Sequence, residues 1–431
     1  MSNFTRRHFL GLASGAVTAG VVGYYLFAPS TKQKIVIIGG GAGGIIAAKY
    51  IRKADSTFDV TLIEQNTHYY TCFMSNEVLG GERTIDAIKF NYDQLNQYGI
   101  NLVHDKAIRI NPMTKQVHLQ SGEILSYDRL VVSPGISFQW DAIRGYNEAV
   151  SEQIPHAWKA GSQTVKLQQQ LQAMKNGGTV ILTVPPKPFR CPPGPYERAS
   201  QIAQYLKRHK PRSKILIFDA NQSFPKQALF MEGWEQLYGY GTENSLIEWI
   251  PQNKGGQVVA VDAKTRVIYA SEFEDKHRAD VLNVIPPQQA GEIAVESGLT
   301  NNSGWCPINQ KTFESSLHKD IHIIGDACLA GVMPKSAYSA NSQAKVCAHA
   351  IMSSLHGVEM VMPSLVNTCY SVVGEEFAIS VAAVYRLQGD KIEVSQNASG
   401  VSPLNASARY RKNELAYAHS WYNNITHEMF N

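Results

Sequence analysis

Three glycines near the start of the chain have the spacing of a phosphate-binding turn. Gly39, Gly41 and Gly44 fit the pattern G-x-G-x-x-G, with Ala42 inside the turn. The first glycine allows a tight turn, the second lets the backbone approach a pyrophosphate, and the third lets a helix pack closely on the preceding strand. The helix predicted over residues 45–53 would present its N-terminal N–H groups to that phosphate.

The residues around this turn strengthen the prediction. An apolar β-branched run at 34–38 predicts a buried strand before the turn, and residues 59–64 predict a second strand that ends at Glu64. An acid about 20 residues after the last glycine binds the adenosine ribose hydroxyls in dinucleotide folds. The unit therefore predicts a dinucleotide site.

Two later segments favour FAD over a simple nicotinamide cofactor. Residues 107–135 alternate like a three-stranded meander and end at Pro134 and Gly135, a crossover typical of FAD folds. Residues 321–324 predict a buried strand that leads into Gly325 and Asp326, and a helix is predicted over 339–355. Such a strand end places an aspartate on the ribityl chain of a flavin.

The middle of the chain predicts a second doubly wound unit whose nucleotide site is lost. Strands are predicted at 178–184 and 214–218, with a helix at 196–209 between them. The turn at 185–195 is rich in proline where a nicotinamide site would have glycine. Proline has no N–H to offer a phosphate, so we expect electrons to enter and leave by another route.

The cysteines do not form a haem or zinc motif. No Cys-x-x-Cys-His occurs, so this chain is predicted to attach no c-type haem, and no Cys/His cluster has metal-ligand spacing. The six cysteines are Cys72, Cys191, Cys306, Cys328, Cys347 and Cys369.

The N-terminal segment predicts export. Arg6 and Arg7 precede a mostly apolar run at 9–28, the pattern of a twin-arginine leader directed to the periplasm. The alternative is an uncleaved membrane anchor. A net charge of +4 gives no case for nucleic acid or an anionic membrane, and no later stretch is apolar enough to span, so peripheral or no membrane association is expected.

Several longer stretches resemble one family. Over nearly its whole length the chain is similar to the flavoprotein subunit of flavocytochrome c sulfide dehydrogenase, which belongs with the sulfide:quinone oxidoreductases and glutathione-reductase-like flavoproteins. The matching stretches are THYYTC (67–72), FRCPPGPYER (189–198), GWCP (304–307), MPKS (333–336), YSANSQ (338–343) and NTCYS (367–371).

The resemblance implies roles for three cysteines. Cys72 matches the cysteine that forms a thioether to the 8α-methyl of FAD, and Cys191 and Cys369 match a redox-active disulfide beside the flavin. A Cys191–Cys328 pair remains an alternative, because Cys328 directly follows the Gly325-Asp326 turn. The other cysteines are read as inert apolar residues.

Two charged residues are further candidates. Glu197 lies near the start of a predicted helix, six residues after Cys191, where it is either a proton acceptor or a charge that complements the helix N-terminus. Lys335 is a candidate for contact with the flavin. Arg190 and Arg198 either steer an anionic substrate or lie on the surface.

The resemblance implies oxidation of hydrosulfide to sulfur or polysulfide, with a c-type cytochrome subunit as electron acceptor. Hydrosulfide is a soft nucleophile, and a disulfide sulfur is its natural electrophile. Three alternatives are a sulfide:quinone oxidoreductase, an NADH-dependent disulfide reductase and a non-catalytic flavin-fold subunit that only binds a partner.

The expected architecture is α/β, with two Rossmann-like domains and a small C-terminal domain. The predicted divisions are a leader at 1–30, an FAD domain at 31–145 and 286–360, an NAD-binding-like domain at 146–285, and a C-terminal domain at 361–431.

Overall fold

Two parallel sheets carry the α/β part of the fold. The computed structural model describes residues 32–431, so the predicted leader lies outside the described residues. The first sheet has the order β19-β9-β1-β2-β5. Its strands are β1 (Lys34–Ile38), β2 (Asp59–Ile63), β5 (Asn101–Val103), β9 (Arg129–Val132) and β19 (Ile321–Ile323).

The second parallel sheet has the order β13-β12-β11-β17. Its strands are fully or largely apolar, as expected where helices cover both faces. They are β11 (Thr179–Val184), β12 (Lys214–Asp219), β13 (Ile247–Ile250) and β17 (Val281–Val284). The two predicted doubly wound units are therefore present.

The helices confirm the predicted elements and extend them at their ends. The helix after the glycine turn begins at Gly44, and the helix after the proline-rich turn begins at Gly194. Within residues 32–431 the α-helices are α1 (Gly44–Ala54), α2 (Ser75–Gly80), α3 (Glu148–Ser151), α4 (Ser162–Ala173), α5 (Gly194–His209), α6 (Gln227–Tyr238), α7 (Glu292–Glu296), α8 (Ala337–His356) and α9 (Ala408–Phe430). Short 3₁₀ turns lie at Asp86–Ile88, Asp93–Tyr98, Trp140–Ala142, Gln252–Lys254 and Gly325–Ala327.

Small antiparallel sheets connect these units. The predicted meander is present as β6 (Ala107–Asn111), β7 (Gln116–Leu119) and β8 (Ile124–Ser126). The remaining short pairs and the second three-stranded sheet are β3 (Tyr69–Tyr70) with β4 (Lys89–Phe90), β10 (Ile136–Phe138) with β18 (Gln288–Ala290), and β14 (Val258–Asp262), β15 (Val267–Ala270) and β16 (Asp275–Arg278).

The C-terminal part is a three-stranded antiparallel sheet followed by a long helix. The strands are β20 (Ser364–Gly374), β21 (Phe377–Gln388) and β22 (Lys391–Val401), and α9 packs on β21. A separate apolar cluster joins this part to the segment that carries Cys72, with Met74 and Val78 packed against Val372 and Tyr422. No helix in the described residues is both long and apolar enough to cross a membrane.

Candidate active site

The glycine turn has the geometry that its spacing predicts. Gly39 adopts a φ of +101°, which disfavours other residues. A Cβ on Gly44 would lie 1.9 Å from the Gly39 carbonyl oxygen, so only glycine lets α1 begin this close to β1. A Cβ on Gly41 would meet only the Tyr69 ring, at 3.6 Å or more, and Gly41 and Ala42 line a large cavity.

Glu64 lies directly after β2, as predicted. Its Oε2 accepts a hydrogen bond of 2.7 Å from the Gly40 amide, and its Oε1 accepts from Asn66. These contacts fix the carboxylate at the rim of the cavity, where an adenosine ribose would lie.

Asp326 lines the same cavity. It follows β19 in the turn Gly325–Ala327, and Pro134 and Gly135 line the cavity beside it. Burial raises the pKa of Asp326, while Arg190, whose Nη1 lies 4.0 Å from the carboxylate, counteracts that rise.

Lys335 contacts the backbone of the turn that carries Asp326 and of the residues after it. Its Nζ donates to the carbonyl oxygens of Asp326 (2.6 Å) and Cys328 (3.0 Å) and lies 3.7 Å from the centre of the Trp305 ring. Lys335 is absent from the cavity lining, so direct flavin contact stays a prediction. The ammonium holds the backbone that carries Asp326.

The cavity fits FAD. Its volume is about 1250 Å³, and it runs from the glycine turn to Asp326. The first-turn N–H groups of α1 lack partners within the helix and suit a pyrophosphate. The lining residues that would hold FAD are Gly39, Gly41, Ala42, Glu64, Pro134, Gly135 and Asp326. The predicted Gly44 does not line the cavity and instead lets α1 begin close to β1.

The three cysteines singled out by the resemblance line this cavity. They are Cys72, Cys191 and Cys369. Cys72 precedes α2, and its Sγ lies 3.7 Å from the Trp158 carbonyl oxygen. All six cysteines are free thiols in this structure, so the Cys191–Cys369 bond stays a prediction.

Cys191 is held in an unusual backbone conformation. Its φ is +54°, a left-handed value that non-glycine residues rarely adopt and that concentrates at functional sites. Its amide donates to the Lys335 carbonyl oxygen at 2.8 Å. A Cβ on Gly194 would lie 3.0 Å from the Cys191 Sγ and 2.8 Å from the Trp158 ring, so glycine makes room for the sulfur.

Glu197 connects the start of α5 to the strand that carries Cys369. Its Oε1 accepts from the Val372 amide and its Oε2 accepts from Asn76 Nδ2, both at 2.8 Å. Gln201, one helical turn later, donates to the Val372 carbonyl oxygen. Burial raises the pKa of Glu197, and the bonds from Val372 and Asn76 oppose that rise. A carboxyl with a raised pKa beside two cysteines is suited to accept a proton.

The two arginines near Cys191 are not surface charges. Arg190 is mostly buried and donates to the Trp158 carbonyl oxygen. Arg198 is 2% exposed and donates to Asn76 Oδ1, and burial lowers its pKa to about 10. That bond orients the Asn76 amide so that its NH₂ group faces Glu197.

Asn76 and Lys226 were not predicted from the sequence. Lys226 Nζ donates to Ser371 Oγ at 2.8 Å, two residues beyond Cys369. Neither residue belongs to a local motif, since each reaches the site across the fold. The THYYTC stretch, which ends four residues before Asn76, was the nearest available signal.

The other cysteines match the expected role as apolar residues. Cys306, Cys328 and Cys347 are buried, and burial raises the pKa of Cys306 and Cys328 to about 12. Cys328 Sγ donates to the Gly325 carbonyl oxygen and does not line the cavity. Its placement favours Cys369 as the partner of Cys191.

Three family models match the chain. The model described as the central part of the flavoprotein chain of flavocytochrome c sulfide dehydrogenase matches residues 164–286, and the flavin-binding model of the same enzyme matches 361–430. The pyridine nucleotide-disulphide oxidoreductase model matches 33–173.

Curated proteins show the same relationship. A mitochondrial sulfide:quinone oxidoreductase of Dictyostelium discoideum is 25% identical over 78% of this chain and 74% of its own length. A sulfide-quinone reductase of Aquifex aeolicus is 26% identical over 80% of this chain and 82% of its own length. The sulfide dehydrogenase flavoprotein chain of Chlorobaculum thiosulfatiphilum is 48% identical over 46 residues, which are 11% of this chain and 96% of that sequence.

A solved structure shows the same fold. The sulfide:quinone oxidoreductase of Aquifex aeolicus superposes with a TM-score of 0.66 at 18% identity, over 92% of each chain. The matched family models and the sulfide dehydrogenase relative agree, and the chain belongs to the family of flavoprotein chains of flavocytochrome c sulfide dehydrogenase.

Proposed function

We propose that this chain oxidises hydrosulfide at a Cys191–Cys369 disulfide beside FAD and passes the electrons to a c-type cytochrome subunit. One observation carries the proposal. The cavity lined by the glycine turn and Asp326 is also lined by Cys191, Cys369 and Glu197. A dithiol pair and a flavin site thus open onto one space.

The chemistry begins with a thiol–disulfide exchange. Hydrosulfide attacks one cysteine sulfur, the Cys–Cys bond breaks, and the other cysteine leaves as a thiolate. The attacked cysteine carries a persulfide. A second hydrosulfide bonds to the outer persulfide sulfur, which departs as hydrogen disulfide while the cysteine sulfur leaves as a thiolate. Bound FAD supplies the two-electron acceptor that reoxidises the cysteines and releases electrons singly. Glu197 accepts the proton lost when a thiol is deprotonated.

Covalent attachment of FAD through Cys72 is part of the proposal. Its support is the family resemblance together with the position of Cys72 in the cavity lining. A thioether at the 8α position keeps the cofactor in the protein outside the cytoplasm, where free FAD is not supplied.

The proposed exit for electrons is the face formed by α9. Trp421 lines the flavin cavity and also an outer groove, which it shares with Tyr338, Tyr370 and Tyr417. Tyr338, Tyr370 and Trp421 line both spaces. The match of residues 361–430 to a flavocytochrome model supports a cytochrome, while the quinone-reducing relatives keep a quinone as the alternative acceptor.

One experiment tests acceptor and donor together. Purified holoenzyme is mixed anaerobically with sulfide, and then with oxidised cytochrome c or a soluble quinone. The proposal predicts rapid flavin bleaching by sulfide and faster reoxidation by the cytochrome. Faster reoxidation by the quinone supports the quinone oxidoreductase, and prompt bleaching by NADH supports a nicotinamide-dependent reductase.

Export to the periplasm is a separate proposal. Its support is the Arg6-Arg7 pair and the apolar run at 9–28. Replacement of both arginines by lysine is expected to leave the protein in the cytoplasm. A fractionated cell extract would show this, and unchanged export of the variant would contradict it.

A further inference from the structure

Lys226 approaches the reactive cysteines from outside the cavity. It precedes α6 and adopts a left-handed φ of +62°, which a non-glycine residue rarely keeps without a reason. Its Nζ donates to the hydroxyl of Ser371 at 2.8 Å. Ser371 is 1% exposed and Lys226 is half-buried, so the bond reaches from the edge of the protein to a buried hydroxyl.

The strand geometry places the ammonium close to Cys369. Ser371 and Cys369 are two residues apart on β20, and alternate residues of a strand point to the same face, roughly 7 Å apart. A cation bound to Ser371 is therefore within about one side-chain length of the Cys369 sulfur.

Several charged groups face the two cysteine sulfurs, and Lys226 is the cation among them that acts on both thiols. These groups are Glu197 and Arg198 from α5, Arg190 from the turn before α5, and Lys226. Burial raises the pKa of both thiols, and Glu197 raises both further. Arg190 opposes the rise for Cys191, whereas Lys226 opposes it for both Cys191 and Cys369.

We propose that Lys226 is a positioning residue that stabilises the cysteine thiolate released when hydrosulfide opens the Cys191–Cys369 disulfide. This inference rests on the proposed function. In that step the new S–S bond forms between the hydrosulfide sulfur and one cysteine sulfur. The hydrosulfide proton stays on the outer sulfur of the resulting persulfide. The electron pair of the broken bond stays on the other cysteine sulfur. The single negative charge thus moves from the substrate to a buried cysteine, and the ammonium offsets it there.

The test compares Lys226→Met, Lys226→Arg and the exposed control Lys207→Met, whose Nζ bonds the Leu237 carbonyl oxygen. Reduced holoenzyme is treated with iodoacetamide across a pH series, and modification of Cys191 and Cys369 is read by mass spectrometry. We expect the midpoint of alkylation to rise by about one pH unit in Lys226→Met, a roughly ten-fold loss of thiolate at neutral pH. The arginine and control variants should stay close to wild type.

A second variant, Ser371→Ala, keeps the inference testable if Lys226→Met does not fold. Ser371→Ala keeps the ammonium but removes the hydroxyl that holds it, so a smaller upward shift is expected. Unchanged midpoints in both Lys226→Met and Ser371→Ala would overturn the inference. Alkylation needs no sulfide turnover, so unchanged midpoints would leave the proposed function standing. The proposed function would instead be refuted by full sulfide oxidation in an enzyme that lacks the disulfide.

Discussion

The two doubly wound halves of the molecule use the same position for different purposes. Between β1 and α1 the turn has five residues and is built from glycine, with its amides open to a cavity. Between β11 and α5 the turn has nine residues, contains several prolines and presents Cys191 to that same cavity. One turn is suited to bind a phosphate, and the other is suited to carry a sulfur nucleophile or electrophile.

Each helix nevertheless begins with glycine, and the reasons differ. A side chain on Gly44 would collide with the Gly39 carbonyl oxygen at 1.9 Å, which is backbone and cannot move cheaply. A side chain on Gly194 would meet the Trp158 ring and the Cys191 Sγ. The comparison teaches that a repeated fold conserves the strand-to-helix junction while the turn changes its chemistry.

The largest effect is expected when the cysteine sulfur of the second turn is removed, since this tests whether that turn carries the sulfide chemistry. Cys191→Ser should lower the rate of flavin reduction by sulfide by roughly a thousand-fold or more, because the disulfide that hydrosulfide attacks can no longer form. FAD should stay bound, since the first turn is untouched. Stopped-flow absorbance at the flavin band measures both, and full activity would remove the disulfide mechanism.

The matching change in the first turn should lower flavin binding, whereas a change in the second turn should lower the rate of the sulfide step. Gly44→Ala forces the junction apart, so we expect flavin occupancy to fall roughly ten-fold or more. Gly194→Ala should keep its FAD and slow the sulfide step instead. The ratio of flavin absorbance to protein absorbance measures occupancy in both variants. Equal flavin loss in the two would contradict the division of roles.

Glu197 sharpens the comparison at the first turn of α5. Burial raises the pKa of Glu197, so the proton-accepting carboxylate is lost as the pH falls through that raised value. Wild-type flavin reduction by sulfide should therefore decline on the acid side. Glu197→Gln should lower the rate roughly a hundred-fold and flatten that acid limb.

The exposed carboxylate Glu248 provides a control for this variant, since Glu248→Gln removes a surface ion pair with Lys214. Its pH profile should match wild type. Protonation of hydrosulfide to H₂S leaves some acid limb in every variant, so an acid limb in Glu197→Gln identical to that of wild type would contradict the role of Glu197.

The smallest effect on rate is expected at Cys72, which belongs to the first half. Cys72→Ala should retain FAD in the folded protein, because the glycine turn and Asp326 still bind it. Acid denaturation should then release the flavin from the variant and not from wild type. Flavin in the acid supernatant of wild-type protein would contradict the thioether.

Local pattern was sufficient for the parts of the fold made by contiguous residues. The strand, turn, helix and acid from 34 to 64 were predicted close to their observed bounds because each depends on neighbours in sequence. The middle unit was predicted for the same reason. Its proline-rich turn is present between β11 and α5, and the loss of the nicotinamide site that it indicates stays a prediction.

The environment of charged groups could not be read in this way. Arg190 and Arg198 resemble surface charges in sequence, yet both are buried against Trp158. Lys335 donates to the backbone of Asp326 and Cys328, a contact that its sequence position did not indicate, while its predicted contact with the flavin stays a prediction. Such placements arise from contacts between distant segments, which periodicity and spacing do not report.

The most direct test of the account is a peptide map of oxidised holoenzyme under non-reducing conditions, before and after one equivalent of sulfide. We predict a disulfide-linked pair of peptides carrying Cys191 and Cys369, which disappears on sulfide addition as a persulfide forms on one of them. A Cys191–Cys328 linkage, or free Cys191 and Cys369 in an enzyme that still oxidises sulfide, would contradict it.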